Sequence, residues 1–509
     1  MWTGGIVIVV FLASMILIGV YFSHRQQSTD RYFAAQRSIP GWAAGISLFA
    51  TLVSSVTFIA YPAAGYEGRW SLFVPGLMSP VVVVFAVLVF IPIYRNVVRI
   101  SAYEYIEKRF DKPIRLYSTL AFSLNNFAKM GFVFYLVALT VNGVTGWSIW
   151  GTLLVCGVVT VFYTLIGGVE AVIWTEVIQG VLLWAGGFIA LGYTLLAAPG
   201  GAGTALRLAR DNHMFNFGQT AFDWSQPTIL ILLLWGFLEA MQKYAADQTI
   251  VQRYIVATSD REARKGAYVS VALSLPSGAL FTLIGTCLWA FYQSSGDTLP
   301  PSIVKSEQVF PYFLATRIPT LFGALIVAGM LSAAMSTVAS VLNGLSSVFV
   351  EDFYRLFRPR ATDQQRLRVG KLLVGLFGAL STVIAALLAE TEVTALALWY
   401  TIASIVSAGI VGLFLLAFLS TRVNRHGIYA GVGAALVFTV WATLTMNGSQ
   451  TFDLGLLDQP VHSYWIGVFA NAIVGVVGYG ASLLFPHPAA DMRQLTIWGW
   501  LDEQRKVAL

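Results

Sequence analysis

Thirteen stretches of this chain stay apolar long enough to cross the roughly 30 Å of hydrocarbon in a bilayer. They are 4–22, 41–66, 72–94, 116–143, 148–167, 170–197, 227–252, 267–293, 319–350, 371–389, 393–420, 426–446 and 463–485. No water satisfies a free backbone group inside a bilayer, so each stretch is read as a helix. Only 11% of the 509 residues are charged and 57% are hydrophobic, against roughly 25% charged in a soluble protein. The fold class is therefore all-α polytopic membrane protein with about thirteen transmembrane helices, and membrane lipid is its surroundings. A net charge of +6 would suggest nucleic acid in a soluble protein. Here its sidedness matters more, and no nucleic-acid partner is expected. Cys156 and Cys287 both fall inside apolar spans and suggest neither a disulfide framework nor a zinc site.

Orientation follows from Lys and Arg. Alternate connectors collect 24 of the 31 basic residues, Arg253, Arg261, Arg264 and Lys265 among them, and the other connectors hold 5. The excess marks the cytosolic side. It predicts an N-terminus outside, a C-terminus in the cytosol and a place in the cytoplasmic (inner) membrane. The first span has no basic residue before it and no clear cleavage site after it, so it is read as a helix, not a signal peptide. The connectors 198–226 and 294–318 are read as loops, and the Arg-rich 351–370 as a cytosolic connector.

Polar residues inside the spans narrow the function. FATLVSSVTFIAYPAAGY, from Phe49 to Tyr66, crowds Thr51, Ser54, Ser55 and Thr57 together, with Pro62 and Gly65 following. Hydroxyls and helix breakers in a span serve a tight helix contact, or a broken helix that lines a cavity. In span 319–350, Ser332, Ser336 and Ser340 are four apart and share one face, with Thr337 beside it. Sodium is a hard cation that takes oxygen ligands, by the logic that gives calcium and magnesium theirs. Hydroxyls from this helix and carbonyls from a broken span 41–66 would make an oxygen cage without net charge. Such a cage suits a monovalent ion that must leave again.

Charges inside spans are few: Lys129, Glu176, and then Glu239, Lys243 and Asp247 at four-residue steps. Intramembrane charges pair with one another or mark a pathway. Glu239 with Lys243 reads either as an internal ion pair or as part of a cavity whose cation meets an acidic substrate. All five histidines lie in connectors or at span ends, and no Walker loop or Cys/His cluster occurs. A membrane enzyme needs buried acid–base or metal groups, so catalysis finds little support. No re-entrant filter segment is evident for a channel.

Several stretches together resemble the sodium:solute symporter family: WAAGISLFATLVSSVTFIAYPAAGY, SAYEYIEKRF, YTLIGGVEAVIWTEVIQG, DQTIVQRY and LSAAMSTVASVLNGLSSVFVEDFY. Within the family the chain is most similar to the bacterial sialic acid symporter branch. The resemblance implies an inverted five-helix repeat of the leucine-transporter type. Its helices 1 and 6, here 41–66 and 227–252, would be broken at mid-membrane. The organisation expected is 1–40 for the first helix and a cytosolic connector, 41–200 and 226–420 for the two repeats, and 421–509 for two peripheral helices and a tail.

The resemblance also implies site residues. Sodium would be held by carbonyls of Ala50, Val53 and Ala333 and hydroxyls of Ser336 and Thr337. Ser54, Ser55, Thr57, Lys129, Glu239 and Lys243 would face the solute, and Tyr244 would be an inner gate. Glu176 and Ser340 occupy positions where some relatives bind a second ion, so they are candidates for a second ion or a proton. Lys129 stands where sialic acid symporters carry Arg, and a lysine lacks the bidentate fork. Gly76 stands where they carry Gln. The function expected is sodium-coupled import of an acidic sugar or organic acid by a monomer. The alternatives are a neutral sugar or polyol, an amino acid, and a membrane solute sensor.

Overall fold

A computed structural model describes residues 2–301, 303–389, 408–445, 461–488 and 490–508. Among them there is no β-strand, only two isolated bridges. Ten helices among the described residues are long and apolar enough to cross a membrane, eleven when one bent pair is joined. In chain order we label α1 Trp2–Ser23, α2 Gly41–Leu52, α3 Ser55–Tyr66, α4 Trp70–Val97, α5 Tyr103–Arg109, α6 Lys112–Thr145, α7 Ile149–Ala197, α8 Ile229–Met241 and α9 Gln248–Val256. Then follow α10 Asp260–Ser295, α11 Thr320–Val348, α12 Asp363–Ala389, α13 Ile410–Leu419, α14 Arg425–Leu444 and α15 Tyr464–Ser482.

Spans 148–167 and 170–197 both lie in α7, parted where Gly168 takes φ 60 and ψ −161, a conformation closed to residues with a Cβ. Most of span 393–420 lies outside the described residues. The connectors hold more structure than hydropathy shows. Gly201–Asp211 and Val309–Arg317 are short helices within stretches read as loops. Of the Arg-rich connector, only 358–362 is non-helical, because α11 continues through a π-turn to Phe357 and α12 begins at Asp363.

The second span breaks in its middle, with α2 and α3 meeting at 58°. Val53 is extended (φ −94, ψ 119), and the Ser54 hydroxyl caps α3 by accepting from the Val56 amide at 3.3 Å. Pro62 and Gly65 do not make this break; both lie inside α3. They serve packing instead. A Cβ on Gly65 would come within 1.9 Å of the Thr282 carbonyl, and one on Gly285 within 1.9 Å of the Pro62 carbonyl, so α3 and α10 touch backbone to backbone.

The seventh span breaks too. After α8 a π-turn covers Gln242–Ala246, Asp247 is extended (φ −91, ψ 116), and α9 starts. The Asp247 carboxylate accepts from the Thr249 amide at 2.8 Å and hydroxyl at 2.6 Å, capping α9. Between the breaks runs α11. Its apolar window is 94% buried, against 28% for α12. The serine face therefore meets protein on every side.

Candidate functional site

The last carbonyls of a helix have no amide partner, and the break in the second span leaves those of α2 in mid-membrane. α11 crosses them there. The Ser336 hydroxyl donates to the Ala50 carbonyl at 2.9 Å and approaches the Ala333 carbonyl at 3.2 Å. Thr337 donates to the same Ala333 carbonyl at 3.0 Å. All four residues are buried, and Val53 borders the adjoining cavity. Four of the five predicted sodium ligands thus form one hydrogen-bonded cluster. Its donors are neutral oxygens, and the two hydroxyls can turn their lone pairs to a cation by giving up one bond each. This chemistry suits a hard monovalent ion. No cluster of His, Cys, Asp or Glu that would hold a transition metal occurs among the described residues.

Ser340, one turn along α11, belongs elsewhere. It joins Glu176, Ser47 and Thr51 around a residue that sequence reasoning placed in a cytosolic connector, Arg253. Glu176 and Arg253 form a fully buried ion pair, with Nη2 of Arg253 at 3.1 and 2.9 Å from the two carboxylate oxygens. Ser47 and Ser340 both donate to the carboxylate. Arg253 also reaches Ser47 at 3.1 Å and the Thr249 carbonyl at 2.9 Å, and Thr51 lies 2.9 Å from Ser340. The pair locks α2, α7, α9 and α11 together. Arg253 was missed because a basic residue at the end of an apolar span reads as an inside marker, whereas α9 runs on to Val256 and buries it. The available signal was the polar face Gln248, Thr249, Gln252 and Arg253 in DQTIVQRY.

Beside this hydroxyl–carbonyl cluster lies a cavity of about 180 Å³. Thr51, Ser54, Thr57 and Tyr61 line it from the broken second span, and Phe73 and Gly76 from α4. Lys129 enters from α6, and Trp235, Glu239, Lys243, Tyr244 and Asp247 from the seventh span. Lys243 pairs with Glu239 at 2.7 Å and both are partly exposed to the cavity. Lys129 makes no hydrogen bond or ion pair among the described residues, although Asp247, Lys243 and Glu239 all lie within electrostatic reach. Tyr244 is buried at the inner end, 3.3 Å from the Ser270 hydroxyl. Ser55 is the one predicted solute residue that the cavity does not include. Its hydroxyl donates to the Val133 carbonyl at 3.1 Å and ties α3 to α6.

Residues 32–434 match the model of the sodium:solute symporter family. The chain is 32% identical over 436 residues to the sodium/sialic acid symporter SiaT of Proteus mirabilis, covering 84% of this chain and 86% of that one. It is 29% identical over 482 residues to the sodium/sialic acid symporter NanT of Aliivibrio fischeri, covering 93% and 92%. A solved structure of a Na+-coupled sialic acid symporter, substrate-bound and outward-open with a novel Na+ site, superposes at a TM-score of 0.87. It is 29% identical and covers 95% of this chain and 98% of that one. The architecture is that of the leucine-transporter fold.

Proposed function

The chain belongs to the sodium:solute symporter family, and from that premise we propose that it imports sialic acid or a closely related acidic sugar with sodium. It is a multi-pass membrane transporter, not an enzyme; sodium and a small solute are its cargo. The observation that carries the solute class is Lys129, a cation in the cavity with no ion-pair partner among the described residues while Lys243 already has Glu239. A buried carboxylate needs such a partner. Ser54 and Thr57 supply hydroxyls for the rest of a sugar. The relatives' named solute agrees with this reading.

In the cycle we propose, sodium takes the carbonyls of Ala50, Val53 and Ala333 and the hydroxyls of Ser336 and Thr337. That orders the break between α2 and α3. The solute then binds against Lys129, between α3, α4, α6 and α8. Coupling requires that the ion favour the solute-loaded site over the empty one. Tyr244 is the inner gate, and sodium leaving for a low-sodium cytosol loosens the site. The N-terminus faces outward from the cytoplasmic membrane, as the 24 to 5 bias of basic residues favours. The protein works as a monomer surrounded by lipid. Glu239 and Asp247 in the same cavity support a second reading, a zwitterionic amino acid, whose ammonium they would meet.

Thermal stabilisation of the purified protein separates these. Sialic acid, uronates, short carboxylates, neutral hexoses and amino acids are each tested with and without sodium. Sialic acid or a uronate should stabilise only with sodium. Stabilisation by amino acids alone moves the assignment to the second reading. A solute effect indifferent to sodium overturns sodium coupling at this site.

A further inference from the structure

A serine or threonine inside a helix commonly gives its hydroxyl to a carbonyl one turn back. On α10 three do so. Ser270 donates to the Ala267 carbonyl, Ser277 to that of Leu273 and Thr282 to that of Gly278, each at 2.8 Å. Ser274, on the same helix, makes no hydrogen bond among the described residues, and it lines the cavity. The same holds for Ser79 on α4 and for Thr57 and Tyr61 on α3. All four residues are half-buried. Ser332 of α11 also lacks a partner, but its oxygen is sealed in protein, and those of the cavity are not.

α4 and α10 meet at this part of the wall. A Cβ on Gly76 would find one described atom within 4 Å, Cδ1 of Leu275 at 3.9 Å, so the wall is open there. Gly76 and Ser79 are three apart and share a face, and Ser274 adjoins Leu275. Gly278, one turn on from Ser274, seats two rings: a Cβ there would come within 3.2 Å of Phe73 and 3.3 Å of Tyr61. Neither α4 nor α10 brings a charged residue to the cavity. Its charges are Lys129 of α6 and Glu239, Lys243 and Asp247 of the seventh span. Tyr61 lies within electrostatic reach of Glu239 and so borders both parts. One part of the wall thus carries charge, and another carries only hydroxyls.

We propose that Ser79 and Ser274, with Tyr61 beside them, form a polyol subsite that selects a solute bearing a hydroxylated chain as well as a carboxylate. The carboxylate lies against Lys129 and the hydroxylated chain against α4 and α10. Each serine donates one hydrogen bond and can accept others, and neither gives up a bond within the protein to do so. A hydroxyl away from bulk water needs a partner. Water serves in the empty transporter, and the solute's own hydroxyls replace it. A site built in this way rejects analogues that lack the matching hydroxyls. Sialic acid is therefore preferred to a short organic acid, which leaves both serines to water. The charged end of this assignment rests on the acidic-sugar reading above, and the hydroxyl end does not.

The test measures the solute concentration giving half-maximal thermal stabilisation at saturating sodium, for the parent, Ser79→Ala, Ser274→Ala and the control Ser277→Ala. The solutes are sialic acid, sialic acid whose side chain has been shortened by periodate cleavage and borohydride reduction, propionate and glucose. Ser79→Ala and Ser274→Ala should each weaken sialic acid roughly 3- to 10-fold, the expectation for one hydroxyl hydrogen bond. The loss should be smaller with the shortened molecule, because the serines' partners are already gone. Ser277→Ala, whose hydroxyl serves the Leu273 carbonyl, should match the parent. If a serine variant does not fold, Gly76→Leu fills the open wall without removing a hydroxyl and should weaken sialic acid more than the shortened form. Parental affinity for sialic acid in both serine variants overturns the subsite, and so does an equal loss with the shortened molecule. If glucose stabilises the parent and sialic acid does not, the acidic reading falls; the subsite then stands if the serine variants weaken glucose and falls if they do not. A parent stabilised only by propionate overturns the subsite and leaves the acidic reading in place.

Discussion

Between Leu52 and Ser55, and again between Ala246 and Gln248, a membrane helix stops, passes through extended backbone and restarts on a side-chain cap. The surroundings of the two breaks differ in kind. At the first, the Ala50 carbonyl meets only neutral hydroxyls, and the nearby charges, Glu176 and Arg253, neutralise each other. At the second, the freed carbonyls are taken by tyrosines, and the open side shows Glu239, Lys243 and Asp247 to the cavity. The same backbone device thus serves two ends. On the proposed reading a monovalent ion that must bind and leave is offered uncharged oxygens at the first. On the same reading an organic anion meets Lys129 of α6 in the cavity that the second borders, and the carbonyls that could compete for sodium are withdrawn.

The division can be broken at its strongest point first. Glu176→Ala leaves Arg253 buried and unpaired, so stability should fall by about 3–5 kcal/mol, seen as a lower unfolding midpoint with or without sodium. If stability held and only sodium dependence vanished, Glu176 would be an ion ligand and the first break would not be neutral. Ser336→Ala and Thr337→Ala each remove one oxygen from the cluster. Each should raise the sodium concentration for half-maximal uptake at least tenfold, which is about 1.4 kcal/mol.

Lys129→Ala sharpens the comparison on the solute side. A charge-assisted hydrogen bond is worth about 1.5–3 kcal/mol, so uptake of an acidic solute should drop about 10- to 100-fold while the sodium midpoint of residual uptake stays put. Lys129→Arg should restore most of it. The smallest effect is expected from Lys243→Met. Its partly exposed pair with Glu239 is worth no more than about 1 kcal/mol, so solute KM should change only a few-fold.

Much of this was legible from the chain. The hydroxyl face of α11 follows from four-residue spacing, and the Glu239–Lys243 pair from the same rule. What failed was pairing across distance. Ser54 and Ser55 look alike in sequence, yet one caps a helix beside the cavity and the other ties α3 to α6, because adjacent residues at a break point in different directions. Pro62 and Gly65 left a tight helix contact and a broken helix both open, and the close approach of α3 and α10 decides for the contact. Arg253 was counted with the inside charges because apolarity ends before its helix does. The tyrosine caps had no local signature at all: Tyr94 and Tyr103 are ordinary interface aromatics until their hydroxyls find a broken helix some 140 to 150 residues away.

The central claim is that the first break and α11 make the sodium site on which solute binding depends. It is tested most directly by titrating sodium against the thermal stabilisation given by a fixed concentration of sialic acid, for the parent and for Ser336→Ala. The account predicts no stabilisation without sodium, a saturable rise with it, and a midpoint at least tenfold higher in the variant, in keeping with the loss of about 1.4 kcal/mol of ion binding. Stabilisation by sialic acid without sodium, or the same midpoint in both proteins, would contradict it.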